Sequence, residues 1–501
     1  MRSWIAAGVL GLAASLASAG DGLRIAAWNI TFYNGSNSVD IQNTVYGLFN
    51  GESMSPDVIL LQEITTRSAM GQLISHLNNA PGSPGDWAQG SFFSTSTSGG
   101  INTGLAYRTS KLDLLASVVV KPGTSGENPR NVVRYDVRLD GYTSEASTLS
   151  LYPVHMKAGS GSTDQARRLI ESQAITTDVA ALPADRNYVV GGDFNIQSSS
   201  QSAFSNLVGS PYNTGLFRDP IRTPGSWNNN SSFRYVHTQD PETQMDDRYD
   251  MLLTSASFGD GVGLEYVGAF DTTFSTSTWD DPAHSYRCYG NDGTTYNAPM
   301  NTSTNANCGN SIAQSIKNLA GSIGHAPVYF DTSVPAVITA DTALIDFGDV
   351  TVGDNPSADI YVGSGGDTAL WGTLIGDSDY QFGDALFLDE PVGTFQDAAG
   401  GSLNLHSVIF TGSGSPGVVN GTLQIVSNDT DTPILEIPYT ANVIDDVCVA
   451  DLTGDGVVDN GDIGAFVTLF LAGDPAADFT GDGIIDNGDI GAFVAAFLAG
   501  C

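Results

Sequence analysis

Five short segments of this chain end in side chains that can bind a cation or move a proton. They are Ile25-Ala26-Ala27-Trp28-Asn29-Ile30, Leu60-Leu61-Gln62-Glu63-Ile64, Val190-Gly191-Gly192-Asp193-Phe194-Asn195, Arg248-Tyr249-Asp250-Met251-Leu252-Leu253 and Gly324-His325-Ala326-Pro327-Val328. Each is an apolar run carrying one or two carboxylate, carboxamide or imidazole groups. Parallel or central strands that deliver polar groups to one rim of a sheet have this pattern. Glu63 is the best cation ligand among them, because a carboxylate closing an apolar strand is otherwise costly to bury.

The elements that must carry these residues alternate between strand and helix over residues 21–331. Pro56 to Ile64 reads as a buried strand, and Asn187 to Gly191 as a strand leading into Asp193. Ser162-Thr163-Asp164-Gln165 has the form of a capping box, and Ala166, Leu169, Ile170, Gln173 and Ile175 follow on a roughly helical period. This predicts an α/β domain with a β-rich core. Over residues 333–443 the helical period vanishes. Short β-rich runs at Ala343 to Phe347, Ala358 to Val362, Ser407 to Phe410, Gly421 to Val426 and Ile434 to Tyr439 predict a small β-sandwich with no cluster fit for chemistry.

The order Asn, Glu, Asp-x-Asn, Asp, His resembles the endonuclease/exonuclease/phosphatase superfamily over roughly residues 23–331. Pro153-Val154-His155-Met156-Lys157-Ala158-Gly159-Ser160-Gly161 and Gly225-Ser226-Trp227-Asn228-Asn229-Asn230-Ser231-Ser232 are similar to a secreted bacterial branch of it. The resemblance implies an αββα four-layer sandwich, two packed sheets flanked by helices. It also implies phosphodiester hydrolysis, which needs a metal on the phosphate, an activated water and a stabilised leaving oxygen. On that reading Glu63 holds Mg2+ or Mn2+, and Asn29 supports the metal or the phosphate. Asp193 and Asn195 orient the water and hold a phosphate oxygen. Asp250 and His325 form the acid–base pair, with Asp250 fixing the imidazole tautomer. His155 is a second imidazole at the phosphate. Arg130 either grips a non-bridging oxygen or pairs with a surface carboxylate. Asp247 reads as a structural pairing residue.

One position departs from the family pattern. Members usually end in Ser-Asp-His, with the Asp helping to hold metal; here the tripeptide is Ile323-Gly324-His325. Either the site keeps metal through Glu63 and water alone, or its affinity is reduced, or the enzyme is degenerate; a carboxylate restored at 324 would tighten metal binding where the neighbouring geometry is that of the family. The implied substrate is DNA or RNA cut by an endonuclease. Alternatives are a phosphatase, a sphingomyelinase-like hydrolase, or a catalytically degenerate calcium-dependent adhesion or scaffold protein. No aromatic-rich basic patch and no membrane-docking hydrophobic hairpin stand out.

Two further resemblances lie downstream. Ile345-Asp346-Phe347-Gly348-Asp349-Val350-Thr351-Val352-Gly353 and Leu423-Gln424-Ile425-Val426-Ser427-Asn428-Asp429 look like an immunoglobulin-like module of bacterial secreted proteins. In residues 447–501 a loop beginning at Asp451 recurs 27 residues later at Asp478. Its first, third, fifth, ninth and twelfth positions are Asp451, Thr453, Asp455, Asp459 and Asp462, then Asp478, Thr480, Asp482, Asp486 and Asp489. Val457 and Ile484 stand where a backbone carbonyl would ligate, and Gly456 allows the sharp turn that Ca2+ loops make. Asp at the twelfth position and one helix after each loop resemble a type I dockerin. That implies bound Ca2+ and a cohesin-like or cell-surface partner.

Charge and cysteines complete the reading. The chain is 501 residues long with formal net charge −36; residues 318–501 contain no Lys or Arg and 27 of the 55 Asp and Glu. Such a balance argues against tight non-specific binding to phosphate backbones. Residues 1–19 read as a secretory signal, with Arg2, an apolar stretch from Ile5 to Leu16 and Ala17-Ser18-Ala19. No transmembrane segment is expected, and the location is extracellular or at the cell surface. Sequence order favours the pairs Cys288–Cys308 and Cys448–Cys501.

Overall fold

A computed structural model describes residues 22–97, 99–412, 414–445 and 448–500. The expected signal, residues 1–19, lies outside the described residues.

The strand Val58–Ile64 shows how the catalytic part is built. All seven of its residues are buried, as a continuous apolar run requires when both faces of a strand are covered. It lies parallel to Leu23–Tyr33. Asn102–Arg108, Trp87–Gln89, Val328–Ser333, Glu265–Tyr266 and Arg287–Cys288 complete that sheet. The second sheet takes Leu112–Lys121, Val132–Leu139, Thr148–His155, Asn187–Asp193, Asp250–Ser255 and Phe217–Arg218 in spatial order. The sheets meet face to face through Ala27, Leu60, Val189 and Leu252. Glycine keeps them close: a Cβ on Gly191 would stand 3.2 Å from Leu60 Cδ2 and 3.5 Å from Ala27 Cβ.

The outer faces are apolar as well. Trp28, Ile59 and Leu61 pack under the helices Ser38–Tyr46, Arg67–Asn78 and Gly309–Ala320 through Ile41, Met70 and Ile312. Tyr152, Val190 and Met251 pack under Ser162–Val179 and Ser202–Val208 through Ile175 and Phe204. Two sheets with helices on both sides give the layered α/β domain that the strand and helix patterning predicts.

Two local expectations fail. The helix Ser162–Val179 is present, but the capping box is not: its N-cap is Gly161, with no side-chain cap, and the Gln165 amide donates to Ser160 O at 3.0 Å. Its buried face holds Arg168, Glu171, Ser172, Ile175 and Val179. Cys288 and Cys308 are not paired; both are free and buried. Cys288 belongs to the core between the sheets, whereas Cys308 belongs to the core under the outer helices, so the sheet separates them. Cys448 is disulfide-bonded, and Cys501 lies outside the described residues.

A buried ion pair stands behind the catalytic strand Asp250–Ser255. Arg248 reaches both oxygens of Asp219, at 2.9 and 3.1 Å, and neither side chain is exposed. Tyr212 Oη adds a hydrogen bond to the same carboxylate at 2.6 Å. Asp219→Ala strands a buried guanidinium and is expected to lower stability by roughly 3–5 kcal/mol, read from chemical denaturation of the intact chain.

Residues 338–444 form two further sheets. One holds Ile338–Ala340, Ser357–Ser364, Asn404–Phe410 and Leu388–Asp389; the other holds Ile345–Thr351, Ile434–Ile444, Gly417–Ser427, Ser378–Phe382 and Phe395–Asp397. Their inward residues, among them Val362, Val408, Leu423 and Ile437, share one core. The sandwich is docked on the catalytic part. Trp371 and Ile375 enter the core between the catalytic sheets, and Asp431 accepts the N–H groups of Thr143 and Ser144 at 2.6 and 2.9 Å.

The repeat in the tail folds twice in the same way. Its helices, Asn460–Ala472 and Asn487–Ala499, are each 13 residues long and start in reciprocal caps, Asp459 with Asp462 and Asp486 with Asp489. The rings of Phe466 and Phe493 stack, centroids 4.1 Å apart and planes 2° from parallel. Gly456 and Gly483 take φ of 82° and 80°, the left-handed turn the loops need. Asp451 turns its carboxylate onto the N–H groups of Gly454 and Gly456, and Asp478 does the same to Gly481 and Gly483. Among the described residues no three His, Cys, Asp or Glu side chains form a group that could hold a metal ion, and no helix is long and apolar enough to cross a membrane.

Candidate active site

Strand register brings the five segments to one rim. Asn29 lies opposite Gln62, beside Glu63, in the parallel pair of the first sheet. His155 and Asp250 lie opposite Asp193 on its two sides in the second sheet. His325 sits just before Val328–Ser333, in an isolated bridge with Gln239.

The side chains form one buried cluster. Asn29 Nδ2 donates to Glu63 Oε1 at 3.1 Å and lies 3.4 Å from Asp193 Oδ2. His155 Nε2 stands 3.3 Å from Asp193 Oδ2 and 3.8 Å from Glu63 Oε1. His325 Nε2 faces Asp193 Oδ2 at 3.6 Å, while its Nδ1 meets Asp250 Oδ2 at 2.6 Å. Asn195 Nδ2 and N–H both donate to Asp193, at 2.9 Å each. The structure thus gathers Asn29, Glu63, His155, Asp193, Asn195, Asp250 and His325. It also adds Thr238, whose hydroxyl donates to Asp250 Oδ2 at 2.7 Å. Thr238 sits in an irregular stretch, and no sequence signal marks it.

Two of these residues hold a left-handed backbone, Glu63 at φ 60° and Asn195 at φ 52°. Asn tolerates that region; Glu does not, and such strain persists only where the surroundings over-determine it. The N–H of Phe32 does part of that work, donating to Glu63 Oε2 at 2.8 Å.

Burial divides the titrations. Burial, with Asp250 and Glu63 nearby and against the pull of His325, pushes the Asp193 carboxyl up to about 7. Burial alone would lower His325, yet the Asp250 and Asp193 carboxylates raise it to about 10. His155 goes the other way: burial, then the charges of Arg130 and His325, hold it well below the ordinary value of 6.5. At neutral pH one imidazole is charged and the other is not.

Glu63, Asp193 and Asp250 are all buried at this rim, but Asp193 is held by Asn195 and Asp250 by His325 and Thr238, which leaves Glu63 as the carboxylate that could hold a divalent cation. Asn29 lies within the same cluster: its Nδ2 faces the carboxylates of Glu63 and Asp193, and its Oδ1 accepts the Thr31 N–H at 3.1 Å.

Arg130 is buried beside the cluster but grips backbone, donating to the carbonyls of His155 and Met156 at 3.0 and 3.3 Å. Both contacts use Nη1; the Arg130 Nε is buried with no hydrogen-bond partner among the described residues. Arg168 holds the carbonyl of Gly159 at 2.8 Å, so two buried arginines clamp the segment that follows His155. Glu171 completes the clamp. Burial, only partly offset by Arg130, pushes its carboxyl from 4.5 up to about 8. A carboxyl raised by folding contributes stability that is full below 4.5 and is lost as pH rises through about 8. Glu171→Gln cannot ionise and is expected to abolish that decline, measured as melting temperature against pH for both proteins.

Gly324 corrects the expectation of a repairable gap. A Cβ there would lie closer than 3.0 Å to Thr31 Oγ1 and to the backbone of Ala320. Thr31 occupies the space a side chain at 324 would need.

The sequence matches the Endonuclease/Exonuclease/phosphatase family over residues 26–302. The chain belongs to that family. None of the curated proteins matches it. Solved structures of the family are similar at low identity. The human Nocturnin catalytic domain with bound sulfate anion is 12% identical, the match covering 62% of this chain and 94% of that one at a TM-score of 0.37. D. rerio TDP2 complexed with single strand DNA product is 14% identical, covering 62% and 99% at 0.34. Bacteroides thetaiotaomicron mannosyl-6-phosphatase is 13% identical, covering 62% and 99% at 0.35. Likenesses this distant carry no argument about substrate. Members of the family act as nucleases, phosphatases or phosphodiesterases, and this chain is a hydrolase of phosphoester bonds.

Proposed function

We propose that the chain is a secreted, divalent-metal-dependent phosphodiesterase that cleaves DNA or RNA internally. The observation that carries the reading is the single buried cluster of Glu63, Asn29, Asp193, Asn195, His155, His325 and Asp250 at one rim of the two sheets. Asp193 takes the proton of the attacking water, and its raised carboxyl suits a base working near neutrality. Asn195 holds that carboxylate in place. His325, charged and fixed through Nδ1 by Asp250, places its Nε2 proton toward a phosphate oxygen. Neutral His155 lends a second ring nitrogen. Mg2+ or Mn2+ at Glu63 would supply electrostatic stabilisation of the phosphate as charge develops. The test is a panel of DNA, RNA, sphingomyelin vesicles and sugar phosphates, each with Mg2+ and with chelator. Cleavage of nucleic acid only with metal supports the reading; hydrolysis of another class alone, or of none, overturns it.

The tail is a dockerin-like repeat that takes two Ca2+ and a cohesin-like or cell-surface partner, and the β-sandwich is an immunoglobulin-like spacer. Support comes from the identical folding of the two loops and their buried twelfth residues, Asp462 and Asp489. Calorimetric titration of the chain with Ca2+ should give two ions; none would return the tail to an acidic linker.

A further inference from the structure

We propose that Phe32 and Ile323 form the subsite for the nucleobase next to the scissile phosphate. This rests on the nuclease reading above and names how such a substrate is held.

The backbone supplies the first observation. Thr31 and Phe32 are consecutive non-glycine residues at positive φ, 40° and 47°. A bulky residue in that region is strained, and strain of this kind marks functional sites. The strained segment is tied to the chemistry at both residues: Thr31 N–H to Asn29 Oδ1 and Phe32 N–H to Glu63 Oε2.

Exposure supplies the second. The chain places an aromatic ring at this strained position and leaves it 51% exposed, so the ring gains little from folding. Ile323, 56% exposed, is the neighbour of Gly324, whose missing side chain is replaced by Thr31. Two apolar groups therefore stand on touching segments, one next to Glu63 and the other two residues from His325.

Charge decides what they are for. Even without the acidic residues 318–501, the remaining chain carries 19 Lys and Arg against 28 Asp and Glu, a net charge of −9, so it gains little from a polyanion by counterion release. Affinity for nucleic acid must come from contacts that do not depend on charge, and base–aromatic stacking is the sequence-tolerant form of these. A bilayer is the poorer occupant. Two side chains are far smaller than the apolar face with which proteins enter membranes.

The test uses the full-length chain. In chelator, an oligonucleotide carrying 2-aminopurine beside one phosphate should be quenched on binding to the wild type and to Phe32→Trp, but not to Phe32→Ala. With Mg2+, turnover is compared on oligonucleotides bearing a base or an abasic sugar at that position. Wild type should prefer the base by about tenfold in kcat/KM, and Phe32→Ala should lose the preference. Equal loss on both substrates, or quenching that survives Phe32→Ala, overturns the subsite while leaving the nuclease reading standing. Wild type that cleaves no oligonucleotide but hydrolyses sphingomyelin vesicles or sugar phosphates overturns both.

Discussion

Glu63→Gln and His325→Ala are each expected to lower turnover by about a thousandfold, the scale of an essential acid–base or metal-assisted step. Glutamine keeps the shape of Glu63 but only one of its two acceptor oxygens, so it can accept from Asn29 Nδ2 or from the Phe32 N–H but not from both, and it loses the charge that would hold a cation. Alanine at 325 removes the imidazole bonded to Asp250 and, among the described residues, leaves that carboxylate with the Thr238 hydroxyl. Because this strands a buried charge, His325→Gln is the companion variant. Melting curves within a few degrees of wild type, with hydrolysis gone, would establish a chemical rather than a structural role. Near-native turnover in both variants on the best substrate would show that the chemistry lies elsewhere.

Gly324→Asp is expected to damage the enzyme instead of strengthening its hold on metal. The new Cβ collides with Thr31 Oγ1 and the Ala320 backbone. Backbone cannot yield as the end of a flexible side chain can, and overpacking of this kind costs about 1–3 kcal/mol. The shift passes to His325, the next residue, and a misplacement near 1 Å can reduce a rate by about a hundredfold. Metal activation curves and melting temperature check this together. A tighter metal response with unchanged stability would show that the segment relaxes and that a carboxylate can be restored there.

The candidate cluster was largely legible in the sequence because its signal is local: a charged or amide side chain closing an apolar strand has few other uses. Glu63 and Asp193 announce themselves in that way. Thr238 and Glu171 do not, because one lies in irregular chain and the other shares the buried face of its helix with Ile175 and Val179, where a sequence pattern expects an apolar residue. Both acquire meaning only from partners distant in sequence, Asp250 and the Arg130 clamp. The cysteine pairing failed for a related reason. Sequence order brings Cys288 and Cys308 near each other, but which side of a sheet each one faces is settled by packing. Family comparison exposed the missing Asp at 324 without exposing Thr31, the residue that fills the space.

The anchoring of the β-sandwich has an electrostatic consequence. Asp431 grips Thr143 and Ser144, just before the strand Thr148–His155, and His155 at its other end belongs to the catalytic rim. At about 3.3 Å per residue, the strand sets that grip on the order of 20 Å from the site. The Debye length at physiological ionic strength is about 8 Å. The anchor of the sandwich therefore stands more than two screening lengths from the site, and the negative charge of Asp431 at that grip does not repel the polyanion the chain is proposed to cut.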